Sequence, residues 1–281
     1  MRRVALVTDS TSMLSEDVVA EHGLVVVPLQ VIIGSTPYAE GSETSADMVA
    51  EALRAGQPVS TSRPAPEAFV SAYENAAASG AEAVVSIHLS SEISGTFESA
   101  QLAAKQVSVP VEVVDSRQVG LGTGFAVLAA AEAREAGEQP EGIAGAAHAR
   151  AEATSALFYV DTLEYLRRGG RIGAAAKLLG SALAVKPLLR IEDGRIVPLE
   201  KVRTTGRALS RIEDLAVEVA GDRTVDVGVA HLATPERAEV VAAHLRERIA
   251  GVRELVVGEV GAVIGAHVGP GMVAVVVSPL A

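Results

Sequence analysis

Short β-branched runs alternating with alanine-rich helical stretches constrain this chain more than any other feature. Residues 4–7, 84–87 and 111–114 are such runs, and each precedes a candidate helix. Parallel strands need a crossover long enough for a helix, so this order predicts a mainly parallel, doubly wound sheet. Residues 24–33 read as one further extended segment with a bend at Pro28. Helices are expected over 46–55 and 66–79. In the first, Met48, Val49, Ala52 and Leu53 share a face before Gly56; in the second, Pro66 and Glu67 suit a first turn and Gly80 a stop.

After about residue 155 the rhythm changes. Residues 185–191 and 196–201 flank Asp193-Gly194, a pair favoured in tight hairpin turns, so antiparallel pairing is expected there. Helices near 204–220 and 234–249 alternate with strands near 225–231, 253–260 and 272–278. At 281 residues the chain has room for two cores. The reading is an α/β protein of two domains. A mainly parallel, doubly wound N-terminal domain occupies 1–155, and a C-terminal α/β domain with a mixed or antiparallel sheet occupies 156–281. With no low-complexity linker, the domains are expected to abut and to hold a ligand between them.

Charge and composition narrow the function classes. A formal net charge of -11 repels phosphate backbones, which argues against a nucleic-acid partner. The lack of cysteine removes disulfides, thiolate catalysis and cysteine-ligated metals. The histidines show no paired ligand spacing, so no metal is expected. The opening MRRVALVTDSTS has too short an apolar run for a signal peptide, and Pro28 and Gln30 interrupt the longest apolar stretch. No membrane span and a cytoplasmic location are therefore expected.

Glycine-rich phosphate loops are also missing. Gly120-Leu121-Gly122-Thr123-Gly124 follows a candidate strand, yet the third glycine position of a dinucleotide fingerprint holds Phe125. No segment fits GxxxxGK[ST], so the chain is not expected to bind ATP by itself. Two hydroxyl clusters stand at helix starts instead. Ser94-Gly95-Thr96 lies between a strand and a helix, where free N–H groups and the positive dipole end suit an anion; plain capping by Ser94 is the other reading. Thr61-Ser62 precedes Arg63-Pro64-Ala65-Pro66, whose prolines stiffen the turn for binding or for simple punctuation. His267 sits in Gly265-Ala266-His267-Val268-Gly269-Pro270-Gly271. That segment reads as an irregular loop between two apolar strands, where a histidine is either structural or placed to approach a ligand. Basic residues gather in Arg167-Arg168-Gly169-Gly170-Arg171, a short helix closed by glycine, and in Lys201-Val202-Arg203. They are either helix-end charges or contacts to phosphate and carboxylate groups.

Taken in chain order, Thr8-Asp9-Ser10-Thr11-Ser12, Thr61-Ser62-Arg63-Pro64, Ser94-Gly95-Thr96, Asp115-Ser116-Arg117, residues 163–173, residues 201–204 and residues 267–271 resemble the DegV family of bacterial fatty-acid-binding proteins. That family includes the FakB-like carrier subunits that work with a separate fatty acid kinase. One departure is Arg63, where the family more usually has glutamine. The resemblance implies that Ser62 and Ser94, with Thr61, Gly95, Thr96 and His267, surround the carboxylate of a long-chain fatty acid whose tail fills an apolar tunnel. It implies too that Arg171 and Arg203 face the kinase or the transferring phosphoryl group. On this reading the chain is a lipid-binding carrier with no catalytic residue and no cofactor of its own. The kinase supplies ATP and metal, and a downstream acyltransferase takes the acyl phosphate.

Two rivals remain from the residues alone. A serine esterase or acyltransferase would use Ser94 as nucleophile and His267 as base, although the GxSxG elbow is missing. A sugar- or nucleotide-binding regulator would have few aromatic residues on which to stack its ligand.

Overall fold

The computed structural model describes residues 3–178 and 186–280. It divides into two compact units, the first made of residues 3–30 and Ser62–Ala153, the second of the described parts of Val31–Thr61 and Thr154–Leu280. The division is therefore not a single cut at residue 155. Residues 31–61 group with the C-terminal part of the chain, because their helix packs against a helix near residue 265.

The strands are β1 (Val4–Asp9), β2 (Val25–Val27), β3 (Gln30–Ile33), β4 (Thr36–Ala39), β5 (Val59–Ser62), β6 (Ala83–His88), β7 (Val111–Asp115), β8 (Ser155–Tyr159), β9 (Lys186–Glu192), β10 (Arg195–Val202), β11 (Val225–His231), β12 (Val252–Glu259) and β13 (Val273–Pro279). The helices are α1 (Glu16–Glu21), α2 (Ala46–Arg54), α3 (Pro66–Ala78), α4 (Thr96–Ala104), α5 (Leu121–Glu135), α6 (Pro140–Ala153), α7 (Glu164–Arg168), α8 (Thr205–Ala220), α9 (Pro235–Arg248) and α10 (Ala262–Val268). Local chemistry starts several of them. Ser45 and Thr204 cap α2 and α8 by accepting the N–H groups of Met48 and Arg207, and prolines open α3 and α9.

In the first unit β2-β1-β6-β7 form a wholly parallel sheet. Side chains alternate across it. Val4, Leu6, Val85, Ile87 and Val114 pack with α5 and α6, while Val7, Val27 and Val84 pack with α3 and α4. Alanine supplies much of the helix side, with Ala126, Ala130 and Ala131 of α5 and Ala144, Ala147 and Ala151 of α6 all buried. Small side chains let these two helices lie close together and on the sheet. The bend expected at Pro28 is a full break: β2 ends in the parallel sheet, and β3 begins a separate three-stranded sheet ordered β4-β3-β5. Proline has no N–H for a ladder, and the next amide, that of Leu29, donates to Ser10 Oγ at 3.0 Å instead.

The second unit holds a mixed six-stranded sheet ordered β10-β9-β8-β13-β11-β12, antiparallel at every pairing except β11 with β12. Tyr159, Leu188, Ile212, Val227, Leu245 and Val275 anchor its core from β8, β9, α8, β11, α9 and β13. The expected hairpin joins β9 to β10, with Asp193 at φ 51° and Gly194 at φ 77°, as a two-residue turn requires. Val185, the first residue of the strand expected from sequence, lies outside the described residues. Among the described residues no helix is long and apolar enough to cross a membrane, and no group of three or more His, Asp or Glu is placed to hold a metal.

Gly194→Val puts a β-branched side chain at a left-handed position, and it is expected to destabilise the protein by roughly 1–3 kcal/mol. The urea midpoint measures this, and an unchanged midpoint would show that the turn relaxes without cost.

Candidate functional site

The order β2-β1-β6-β7 reverses direction at β1, from which the chain reaches β2 on one side and β6 on the other. At such a reversal the loops leaving the carboxyl ends of neighbouring strands diverge, and open α/β sheets bind ligands in the resulting crevice. There β1 runs into a single 3-10 turn, Ser10–Ser12, and β6 runs into the turn that leads to α4. Ser94 stands in this second turn. Its Oγ pairs with Thr96 Oγ1 at 2.9 Å and accepts the Thr96 N–H at 3.3 Å. Gly95 occupies the cap position of α4 and has no side chain to offer, so Ser94 satisfies the first helical amide from one residue upstream. The capping role therefore holds in displaced form.

Ser62 Oγ donates to the Arg63 carbonyl at 3.2 Å, and Arg63 Nη1 donates to the Gly95 carbonyl at 3.3 Å. Arg63 thereby ties the segment carrying Ser62 to the turn carrying Ser94, Gly95 and Thr96. These four candidate residues come together within the first unit. Thr61 and His267 come together within the second.

The structure corrects the loop expected around His267, which stands in the last turn of α10. Seven residues containing Gly265 make a poor helix by intrinsic propensity. A long-range contact supplies what the sequence lacks locally. Gly261 at the cap position has no side chain, and the buried carboxylate of Glu40 accepts the Val263 N–H at 2.7 Å, facing the positive end of the helix. Gly265 itself lies against Leu232, where a Cβ would come within 3.2 Å of the side chain. Glycine there serves close packing and does not mark a loop.

His267 Nε2 pairs with Thr61 Oγ1 at 2.8 Å. Nδ1 is buried without a hydrogen-bond partner and lies over Gly169, where a Cβ would fall 2.0 Å from it. Burial, and then the positive charge of Arg171, push the ring pKa down to about 4. The imidazole is neutral at pH 7.

The clustered arginines separate into two kinds. Arg167 and Arg168 both bind Glu164 at 2.7 Å, and their hydrogen bonds hold its carboxyl down at about 2. These are intrahelical pairs. Arg171 lies beyond the helix, where its Nη1 donates to the Gly169 carbonyl at 2.6 Å beside His267. Arg203 is exposed on the turn between β10 and α8. Close to Arg203 in the chain, Thr205 Oγ1 pairs at 3.0 Å with the Tyr159 hydroxyl, which donates to Asp161, and Asp161 also accepts from Lys186 Nζ at 2.9 Å. Glu40 and Lys186 escaped the sequence reading. A lone glutamate and a lone lysine carry no spacing signal, and their partners are distant in sequence.

The sequence profile described as "Uncharacterised protein, DegV family" matches residues 3–280. The chain belongs to the DegV family. A DegV domain-containing protein of Streptomyces coelicolor is 54% identical over 277 residues, covering 99% of each chain. The DegV family protein of Thermus thermophilus, described as fatty acid binding, has a TM-score of 0.94 at 34% identity and covers 99% of this chain and 100% of its own. Bacillus subtilis DegV, described as a fatty acid binding protein, has a TM-score of 0.91 at 35% identity with 100% of both chains covered. This DegV protein shares the α/β architecture of those relatives.

A ring that titrates near 4 when folded and near 6.5 when unfolded binds fewer protons in the folded state. His267 should therefore leave stability unchanged above pH 6.5, lower it as the pH falls towards 4, and add no further loss below that. Histidine-resolved NMR is expected to give a His267 midpoint near 4; a midpoint at 6.5 would mean that water reaches the ring. Glu40→Ala is expected to cost roughly 1–3 kcal/mol and to perturb the His267 resonances through a loosened α10.

Proposed function

We propose that this DegV protein binds a long-chain fatty acid and presents its carboxylate to a separate kinase, which converts it to the acyl phosphate. The observation that carries the reading is the whole-chain likeness to two solved relatives described as fatty acid binding. The carboxylate is assigned to Thr61, Ser62, Ser94, Gly95, Thr96 and His267, a set of hydroxyls, amides and one neutral ring. The strand-order reversal beside Ser94 supports the assignment, because it marks where open parallel sheets receive ligands.

Energetics divide the labour between head and tail. Each hydrogen bond to a charged group contributes about 1.5–3 kcal/mol, against several kcal/mol lost when a carboxylate is buried unpaired. A head group held by a few hydroxyls roughly breaks even. Each buried methylene contributes about 0.8 kcal/mol, so a long tail supplies the affinity that offsets association costs of about 4–15 kcal/mol. The polar residues then orient the carboxylate, and orientation is what phosphoryl transfer needs most. Arg171 and Arg203 are assigned to the kinase-facing side. ATP and metal belong to the kinase, and the acyl phosphate stays on the carrier for a downstream acyltransferase.

Denaturation, solvent extraction and mass spectrometry of the purified protein are expected to release a fatty acid, and oleate or palmitate should bind saturably. Ser94→Ala and His267→Ala are each expected to weaken oleate binding about tenfold. Arg203→Ala should slow acyl-phosphate formation with the kinase more than it weakens oleate binding. Absence of released lipid together with absence of binding would overturn the reading.

A further inference from the structure

The segment Thr8-Asp9-Ser10-Thr11-Ser12 has no part in the carboxylate assignment, yet it holds a fully buried polar network. Asp9 Oδ1 accepts the Thr11 N–H at 3.1 Å and the Thr11 hydroxyl at 2.5 Å. Asp9 Oδ2 accepts the Leu89 N–H at 3.1 Å and pairs with His88 Nδ1 at 3.0 Å. One carboxylate thus ties the turn after β1 to the turn after β6. Behind His88 the network continues: His88 Nε2 pairs with Ser86 Oγ at 2.7 Å, and the Tyr73 hydroxyl donates to Ser86 Oγ at 2.8 Å. Asp9, Thr11, Tyr73, Ser86 and His88 are all shielded from water. Phe69 meets the His88 ring edge-on with centroids 4.9 Å apart, which fixes the plane of the imidazole.

The direction of this chain follows from its two ends. Burial pushes the Tyr73 phenol up to about 12, so it stays protonated and donates a hydrogen bond to Ser86. Ser86 then directs its own proton at His88 Nε2, which leaves His88 protonated at Nδ1 and donating to Asp9. Every donor in the series is used once, in one sense, and such series strengthen cooperatively.

We infer that Asp9, oriented through His88, Ser86 and Tyr73, is a positioning residue for the turn bearing Ser94, which Asp115 also holds through Ser91. Leu89 is the first residue past β6, where the parallel ladder no longer supplies a partner for its amide. Asp9 supplies it. From there the turn is built residue by residue. Ser90 N–H donates to the Gln118 carbonyl, Ser90 Oγ accepts the Glu92 N–H at 3.2 Å, and the Ser90 carbonyl accepts the N–H groups of both Ile93 and Ser94. A shift at Leu89 is therefore passed to Ser94. The consequence for ligand affinity rests on the functional reading above.

The test compares the wild type with Asp9→Asn and Thr11→Val in the full-length protein. Three quantities are read: oleate affinity, amide hydrogen exchange, and the imidazole ¹⁵N signals of His88. The wild type is expected to show a proton on His88 Nδ1; a proton on Nε2 alone would overturn the direction of the chain. Asp9→Asn is expected to speed exchange of the Thr11 amide and the 89–94 amides about tenfold or more, to leave α5 and α6 unaffected, and to weaken oleate binding by a similar factor. Thr11→Val removes one donor only and keeps the backbone bond, so it should show the same pattern more weakly and serves if Asp9→Asn does not fold. Loosening spread evenly over the first unit, or wild-type oleate affinity in a variant whose 89–94 amides exchange faster, would overturn the positioning role. A wild type that fails to bind oleate would overturn the functional reading instead, and the exchange pattern alone would then decide the role of Asp9.

Discussion

Parallel pairing of β1 on both of its edges is the constraint from which the first unit follows. A parallel neighbour cannot be reached by a tight turn, so each pairing demands a crossover. The crossover from β1 to β2 is short and carries only α1 after the 3-10 turn. That from β2 to β6 is long, and parallel pairing dictates its end points without dictating what lies between. The chain uses this freedom: residues 31–61 leave to build strands and a helix of the second unit before α3 completes the crossover. The same pairing aligns the carboxyl ends of β1 and β6, which brings the Asp9 and Leu89 turns within reach of each other.

The second unit depends on that excursion. Helix α10 has little intrinsic reason to form, and the excursion touches it at both ends. Glu40 holds the first turn through Val263, and Thr61 holds the last through His267. Between them α2 packs against the glycine-containing face. A helix built in this way is defined by its neighbours, and its one polar ring is placed to the precision of those contacts.

Much of the fold was legible because its signals were local. The β-branched runs gave β1, β6 and β7, Asp193-Gly194 gave the hairpin, and Pro66 marked the start of α3. What could not be read was whatever depends on partners distant in the chain. Residues 24–33 looked like one strand because Val25 and Val31 have the same character, and only their different partners separate β2 from β3. β4 contains Pro37, which argues against a strand, yet β4 lies at the edge of its sheet, where proline is tolerated. The candidate site divides in the same way. Turn chemistry made Ser94 a place for an anion or a cap, while the resemblance to a family joined it with Ser62 and His267. The pairing of Arg167 and Arg168 with Glu164 followed an i,i+3 and i,i+4 spacing already present in the sequence. The link from Glu40 to Val263 spans 223 positions and left no such trace.

The depressed basicity of His267 bears on selectivity. With a midpoint near 4, roughly one ring in a thousand carries a proton at pH 7. The imidazole is then a fixed dipole and not a pH sensor, and it contributes no net charge to whatever anion it meets. Any preference of the proposed head-group set between anions of different charge therefore rests on the guanidinium groups beside it, Arg63 at the Gly95 carbonyl and Arg171 next to the ring, and not on the imidazole.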